Sequence, residues 1–208
     1  MKSFNKKEIK GLDKIYRLNL INSVSGYKSA NLIGTKSESG ENLAIFSSVV
    51  HLGANPALLG FIMRPASVPR NTLTNMKETK SFTINAVSED MMEKAHYTSA
   101  NFEIGTSEFS ACKLTPEYLG NGEAPFVKES KLKIAMHLEQ IIDIELNDTM
   151  LVIGSIETVY VDEVALTSNG QLDLNAISTV AISGLNRYHQ VQEIANYPYA
   201  RTTELPEF

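Results

Sequence analysis

The sequence of 208 residues contains one cysteine and no tryptophan, and it has no long apolar run. The single Cys112 excludes an intrachain disulfide. No stretch reaches the roughly 18 apolar residues that span a membrane, and the charged start lacks the apolar segment of a secretion signal. We therefore expect a cytoplasmic protein with a reduced Cys112 and no membrane partner.

Positive charge is also scarce, since 19 Lys and Arg stand against 24 Asp and Glu and give a net charge of −5. This balance argues against nucleic acid as the main partner. A composition of 43% hydrophobic and 21% charged residues is too apolar for a disordered chain. No repeat or long linker divides the sequence, so we expect a single domain over residues 1–208.

Motifs for several kinds of chemistry are missing. There is no Gly-x-Ser-x-Gly elbow and no Walker-type phosphate loop, and the four histidines show no metal-ligand spacing. Gly120-Asn121-Gly122 lacks the third glycine of a dinucleotide fingerprint and reads as a loop. Cys112 has no histidine near it in the sequence, so a buried or incidental thiol is the simpler interpretation. We assign no catalytic residue and no metal ligand.

Short strands dominate the hydrophobic pattern. Residues 36–41 form a polar run with a glycine and predict a hairpin turn. Alternation at Phe82, Ile84 and Ala86 predicts a strand with two different faces, and Gln140 interrupts a longer alternating run. The predicted strands are 30–35, 43–50, 57–63, 82–86, 132–146 with that interruption, and 150–166.

Helices are predicted to be few and short. Ser88 is suited to cap a helix that begins at Glu89, and Pro69 stands near the start of a helix or turn over 70–77. Apolar residues every three positions predict a helix over 185–195. The tail 196–208 is predicted to be extended. Six or more strands in hairpin-like succession, with helices at the margins, favour a mainly β fold, an antiparallel barrel with peripheral helices.

Two neighbouring polar segments are the best candidates for a binding site. The apolar strand from Asn42 ends in Ser47 and Ser48, which leaves room beside its backbone for a flat heteroaromatic ligand. The loop 64–72 gathers Arg64, Ser67, Arg70, Asn71 and Thr72, and its arginines and a following helix start suit a phosphate. Taken separately, a core strand with a Ser-Ser turn and a solvated loop explain the two segments as well. Together they fit a mononucleotide.

These segments resemble the flavin reductase-like family with an FMN-binding split barrel, in particular its flavoredoxin-like branch. The resemblance covers residues 20–191, and the tail 196–208 follows that core. It rests on the order and spacing of Gly40-Glu41-Asn42-Leu43-Ala44, Phe46-Ser47-Ser48, Asn55-Pro56, Arg64-Pro65, Arg70-Asn71-Thr72, Ser107-Glu108-Phe109, Gly154 with Val161-Asp162-Glu163, and Leu185-Asn186-Arg187-Tyr188.

The resemblance implies a Greek-key split barrel, noncovalent FMN and a homodimer. It implies that the flavin ring and ribityl chain lie along Asn42, Ala44, Ile45, Phe46, Ser47 and Ser48. It also implies that the phosphate is held by Arg64, Ser67, Arg70, Asn71 and Thr72. Candidates for the substrate side are His96, Tyr97, Tyr188 and His189, for which surface or dimer packing is the alternative interpretation.

The implied activity is hydride transfer from NAD(P)H to flavin or another small acceptor, for which the protein needs no acid or base of its own. A non-enzymatic FMN electron carrier between protein partners is the first alternative. A split-barrel protein without flavin is the second. The aromatic tail with Tyr197, Tyr199 and Phe208 is expected either to wrap a partner subunit or to cover its own barrel.

Overall fold

The computed structural model describes residues 1–38, 40–65, 71–103 and 105–206. The helices are α1 (Lys6–Gly11), α2 (Lys14–Ser23), α3 (Asn71–Thr79), α4 (Met92–Tyr97) and α5 (Glu108–Ala111). The strands are β1 (Lys28–Ser29), β2 (Asn31–Ser37), β3 (Gly40–Phe46), β4 (Val50–Ala54), β5 (Ala57–Met63), β6 (Ser81–Ala86), β7 (Pro116–Glu117), β8 (Phe126–Val127), β9 (Leu132–Ile144), β10 (Thr149–Val161), β11 (Val180–Ser183) and β12 (Arg187–Gln190).

Antiparallel strands are the main secondary structure of the molecule, as the sequence predicts. Within the described residues, one sheet has the strand order β3-β2-β6-β9-β10-β5-β4 and a smaller one the order β1-β11-β12. The rings of Phe46 on β3 and Phe61 on β5 lie 5.0 Å apart between centroids, which shows that the large sheet curls strongly. These strands stand near opposite ends of the strand order, so their contact closes the sheet into a barrel.

Two apolar clusters fill the interior, and β2 separates them. Leu32 belongs to one cluster with Leu43, while its neighbour Ile33 belongs to the other with Phe61. Successive side chains on a strand point to opposite faces, so a run of consecutive apolar residues indicates burial on both sides. The two clusters therefore hold β2 and its hairpin partner β3 between them.

The hairpin and the central strands confirm several sequence predictions. β5 has the predicted bounds, and the polar run at 36–41 holds the β2–β3 turn. The interruption near Gln140 is a β-bulge, in which Glu139 is the extra residue between the pairs Ile153–Gln140 and Gly154–Leu138. Gly154 is packed so closely that a Cβ there would lie 2.7 Å from the ring of Phe82.

Other predictions about the strands were wrong. The strand predicted over 43–50 ends at Phe46, and Val50 begins the separate β4; the strand predicted over 150–166 ends at Val161. By contrast, β6 has the two different faces that the sequence predicts, and its polar face is buried. Thr83 Oγ1 donates to the Pro125 carbonyl, and Asn85 Oδ1 accepts from the Val127 amide. These hydrogen bonds let polar side chains occupy a buried face.

The predictions about helices had mixed outcomes. The helix predicted over 70–77 corresponds to α3, while Arg70 and the preceding Pro69 lie outside the described residues. Ser88 precedes a short 3-10 turn and then α4, but its hydroxyl makes no capping bond to that turn's backbone. The helix predicted over 185–195 is wrong. Gly184, at φ +63°, turns the chain so that Arg187–Gln190 pairs with β11 as a strand.

The described part of the tail after β12 contains no helix or strand apart from one 3-10 turn at Thr202–Glu204. Tyr197 and Tyr199 are 83% and 86% exposed, so these residues do not cover their own barrel. Phe208 lies outside the described residues. None of the described helices is long and apolar enough to span a membrane.

Candidate functional site

The outer edge of β3 is the centre of the candidate site. Among the described strands, only β2 pairs with β3. The backbone N–H of Leu43 points outward from this pair and donates to Glu108 Oε2 at 3.0 Å. Since backbone groups alternate along a strand, the N–H of Ile45 faces the same open edge. The edge therefore offers main-chain donors and acceptors to a ligand.

The side chains of β3 anchor the strand and leave that edge accessible. Ile45 packs against one apolar cluster and Phe46 against the other. All the residues from Ala44 to Ser48 are half-buried. The Ser48 hydroxyl accepts from the Ile62 amide at 3.1 Å and donates to the Ile62 carbonyl at 3.2 Å. That hydroxyl is therefore engaged in joining the end of β3 to β5.

The start of α3 is fixed against the hairpin by two buried hydrogen bonds. Asn42 Nδ2 donates to Thr72 Oγ1 at 2.9 Å, and Asn75 Nδ2 donates to Thr35 Oγ1 at 3.2 Å. All four residues are buried. Because a buried donor without an acceptor is costly, these bonds specify the orientation of the helix. The exposed Asn71 and the first turn of α3, whose backbone amides have no partner within the helix itself, consequently lie beside Asn42.

The loop 64–72, which contains Arg64 and Arg70, has its two described ends beside opposite ends of β3. Arg64 is exposed and follows β5 two residues after Ile62, which is bonded to Ser48. At the other end, Thr72 is bonded to Asn42. The sequence-predicted Ser67 and Arg70 lie outside the described residues. The structure therefore brings Asn42, Thr72, Asn71 and the half-buried strand together, with Arg64 at the far end.

Glu108 and Ser107 also belong to this site, although the sequence analysis did not select them as site residues. Burial raises the pKa of the Glu108 carboxyl, an effect that the hydrogen bond from Leu43 opposes. The Ser107 hydroxyl is buried, and no described group is its hydrogen-bond partner. A buried orphan hydroxyl beside an open strand edge suits the polar atom of a ligand. The signal in the sequence was Ser107-Glu108-Phe109, noted only as part of the resemblance.

His96 and Tyr188 form a histidine–tyrosine pair beside the apolar cluster against which Ile45 of β3 packs. His96 Nδ1 and the Tyr188 hydroxyl are 3.1 Å apart, and Tyr188 packs against the cluster that also contains Leu43. Burial raises the pKa of Tyr188 to about 12, so its hydroxyl keeps its proton at neutral pH. The His96–Tyr188 pair can therefore hold a proton beside the apolar cluster against which β3 packs.

The remaining two substrate-side candidates are placed differently. Tyr97 is 58% exposed, and its ring lies 5.5 Å from that of His96 between centroids. His189 Nε2 is 2.7 Å from the Ser183 hydroxyl, and its ring contacts Tyr27. Adjacent residues on β12 point to opposite faces, so His189 does not join Tyr188 and His96.

Comparison with known proteins identifies the family to which this architecture belongs. A family model described as "Flavin reductase like domain" matches residues 28–173, which include β3, α3, α4 and α5. The chain belongs to the flavin reductase-like family. The matched range contains every residue of the β3 and α3 site, together with His96 and Tyr97. Tyr188 and His189 lie beyond it.

Solved structures support the assignment to the flavin reductase-like family. A crystal structure of a candidate flavin reductase with a split barrel domain, from Shewanella frigidimarina NCIMB 400, is 49% identical, with a TM-score of 0.92 over 96% of this chain and 100% of that one. The flavoredoxin of Desulfovibrio vulgaris (Miyazaki F) is 23% identical, with a TM-score of 0.74 over 84% of this chain and 92% of that one, and shows the same fold.

A curated relative is more distant in sequence and aligns over part of each chain. An uncharacterized protein of Aquifex aeolicus (strain VF5) is 29% identical over 130 residues, which is 62% of this chain. The chain spans 65% of the length of that relative. That relative adds no activity to the comparison.

Proposed function

We propose that this protein binds FMN noncovalently and acts as an oxidoreductase that takes hydride from NAD(P)H and passes it to flavin or another small acceptor. The observation that carries the proposal is the buried hydrogen bond between Asn42 and Thr72. It joins the strand edge suited to a flat ring and the helix start suited to a phosphate into one unit. Such preorganisation is what tight binding of a two-part ligand requires.

The side chains and backbone of the described site fit the two ends of FMN. The open edge of β3 offers main-chain hydrogen bonds to a heteroaromatic ring, and the orphan Ser107 hydroxyl offers one more. We assign the phosphate to the loop 64–72, where the first turn of α3 offers backbone amides at one described end and Arg64 offers positive charge at the other. In this proposal Arg64 is joined by Ser67 and Arg70 of the same loop.

Bound FMN would supply the hydride chemistry, so the polypeptide needs no nucleophile. The role of the polypeptide is then to position the flavin and the substrate, to exclude water from the site and to hold protons there. Burial raises the pKa of the Cys112 thiol, which keeps it neutral and a weak nucleophile. We assign the His96–Tyr188 pair to the substrate side, where a protonated hydroxyl can line the pocket for a small acceptor. A cytoplasmic location, which gives access to NAD(P)H, is part of this proposal.

The first test is a titration of the purified protein with FMN and, separately, with riboflavin. We expect the Arg64→Ala variant to bind FMN about 10- to 100-fold more weakly, since a hydrogen bond to a charged group contributes about 1.5–3 kcal/mol. Its affinity for riboflavin, which lacks the phosphate, should be unchanged. The matched control is Arg201→Ala, because Arg201 is an exposed arginine in the tail. Failure of the wild-type protein to bind FMN would refute the proposal.

The second test separates an enzyme from an electron carrier. Protein loaded with FMN is mixed with NADH or NADPH without oxygen, and the flavin absorbance is followed. We expect loss of absorbance with at least one nicotinamide. If dithionite bleaches the flavin and neither nicotinamide does, then the protein is an electron carrier, the alternative that shares the same FMN site.

A further inference from the structure

Two Asn-Gly pairs lie in exposed turns of the chain. Asn121 precedes Gly122 in the loop between β7 and β8, and Asn169 precedes Gly170 in a turn after β10. All four residues are exposed. The first pair belongs to the loop segment Gly120-Asn121-Gly122, to which the proposed flavin site gives no role. Both pairs have the residue types that an intramolecular modification of asparagine requires.

That modification uses only the two residues and water. The backbone nitrogen of the glycine attacks Cγ of the asparagine, so that an N–Cγ bond forms and the Cγ–Nδ2 bond breaks. The glycine nitrogen gives up its proton, and ammonia leaves a five-membered succinimide. Water then opens this ring to aspartate or isoaspartate. Glycine favours the attack because no side chain crowds its nitrogen and its backbone is unrestricted. The rate therefore depends on how freely the two reacting atoms can approach each other.

Hydrogen bonds hold both reacting groups of the Asn169–Gly170 pair. Asn169 Oδ1 accepts from the Thr167 hydroxyl at 2.6 Å and from the Gln171 amide at 3.1 Å. Asn169 Nδ2 donates to Gln171 Oε1 at 3.4 Å. The Gly170 amide, which would be the nucleophile, donates to the Thr167 carbonyl at 3.1 Å. Attack at Asn169 consequently requires several of these bonds to break.

Neither group of the Asn121–Gly122 pair is held in this way. Within residues 1–38, 40–65, 71–103 and 105–206, the Asn121 side chain and the Gly122 amide have no hydrogen-bond partner. The packing around Gly122 is open as well, since a Cβ built there would meet the Leu119 carbonyl at 3.7 Å, an ordinary contact distance. The folded structure therefore leaves this pair free to react.

The loop that contains Asn121 borders a cleft on the surface of the barrel. The cleft has a volume of about 540 Å³, and Gly122 lines it together with Lys36, Tyr118 and Glu123. Lys36 Nζ lies 4.8 Å from the centroid of the Tyr118 ring. A carboxylate formed at position 121 would thus add negative charge beside this cleft. Isoaspartate would also lengthen the backbone of the loop by one atom.

We propose that Asn121 is a site of spontaneous deamidation in the folded protein, whereas the turn around Asn169 is protected from the same reaction. The two sites have the same local sequence chemistry and differ in the hydrogen bonds that hold them. Breaking two neutral hydrogen bonds before attack corresponds to a rate at Asn169 lower by about tenfold or more. This modification is separate from the flavin site and does not depend on the proposed function.

Peptide mapping by mass spectrometry of the incubated full-length protein tests the proposal. The protein is kept at neutral pH and physiological temperature, and replacement of amide by acid is followed at both sites. We expect position 121 to react at least about tenfold faster than position 169. In protein unfolded by urea the two rates should be similar, because the folded contacts are lost. Equal rates in the folded protein, no reaction at Asn121, or the same difference in urea would overturn the proposal.

Two variants separate the reactivity of the pair from the effect of the surrounding structure. Gly122→Ala should slow the reaction at Asn121, and the open packing around Gly122 accommodates the added methyl group. The rate at Asn169 in this variant is the internal control and should be unchanged. Thr167→Ala removes the hydroxyl donor to Asn169 Oδ1 and should raise the rate at Asn169 in the folded protein. Unchanged rates in these two variants, with circular dichroism showing a retained fold, would contradict the proposal.

Discussion

Replacing Thr72 by Val removes one oxygen at the junction of the candidate site and keeps the shape of the side chain. Asn42 is only 6% exposed, so its Nδ2 would lose its acceptor at 2.9 Å without gaining water. Leaving a buried donor unsatisfied costs about 1–3 kcal/mol. For a chain of this size we expect the melting temperature to fall by roughly 2–4 °C for each kcal/mol.

Urea denaturation measures this free energy, and Thr74→Val is the matched control. Thr74 lies on the same helix and is exposed, so its replacement should change the free energy of unfolding by less than about 0.5 kcal/mol. The double variant Asn42→Leu, Thr72→Val removes both polar partners, and its loss should be smaller than the sum of the single losses. Additive losses, or equal losses for Thr72→Val and Thr74→Val, would refute the role assigned to this hydrogen bond.

Two further predictions concern Glu108 and Gly154. The pKa of Glu108 is raised on folding because the carboxyl is partly buried, so its contribution to stability is present at low pH and is lost as the pH rises above about 4. Glu108→Gln should therefore gain stability relative to wild type between about pH 4 and pH 7, and a pH-independent difference in urea denaturation would contradict this. Gly154→Ala should lower the free energy of unfolding by about 1–3 kcal/mol, since the new Cβ meets the Phe82 ring at 2.7 Å. Gly11→Ala, where a Cβ meets nothing within 4 Å, is its control, and equal losses would show that the close approach is relieved at no cost.

The elements that could be predicted from the sequence are those whose pattern is local. β5 is a continuous apolar run that begins just after Pro56, and both of its bounds were predicted. The β2–β3 hairpin could also be predicted, because its turn is the polar run at residues 36–41. The helix predicted over 185–195 failed because three-residue spacing describes the composition of the segment, whereas Gly184 and pairing with β11 decide its structure. Tertiary pairing overrides a weak helical pattern.

The candidate site likewise has parts that a local sequence pattern predicts and parts that depend on distant contacts. The two polar segments could be selected from the sequence because each combines a strand end or a loop with residue types that bind a ring or a phosphate. The hydrogen bond that unites them joins Asn42 to Thr72 across 30 residues, and no local pattern reveals it. The contribution of Glu108 is equally hidden, since its partner is the Leu43 amide, 65 residues away.

The edge of β3 and the terminal segments of this chain differ in chemistry. The edge of β3 presents backbone polar groups and an orphan hydroxyl, to which the proposed function assigns hydrogen bonds from a flat heteroaromatic ligand. The helix α2 and the tail instead present exposed apolar side chains. An exposed strand edge can also pair with a strand of another chain. At β3, the Leu43 amide already donates to Glu108, so a second strand cannot form a continuous ladder along this edge. Under the proposed function, the Leu43–Glu108 hydrogen bond therefore keeps the edge of β3 for a small molecule.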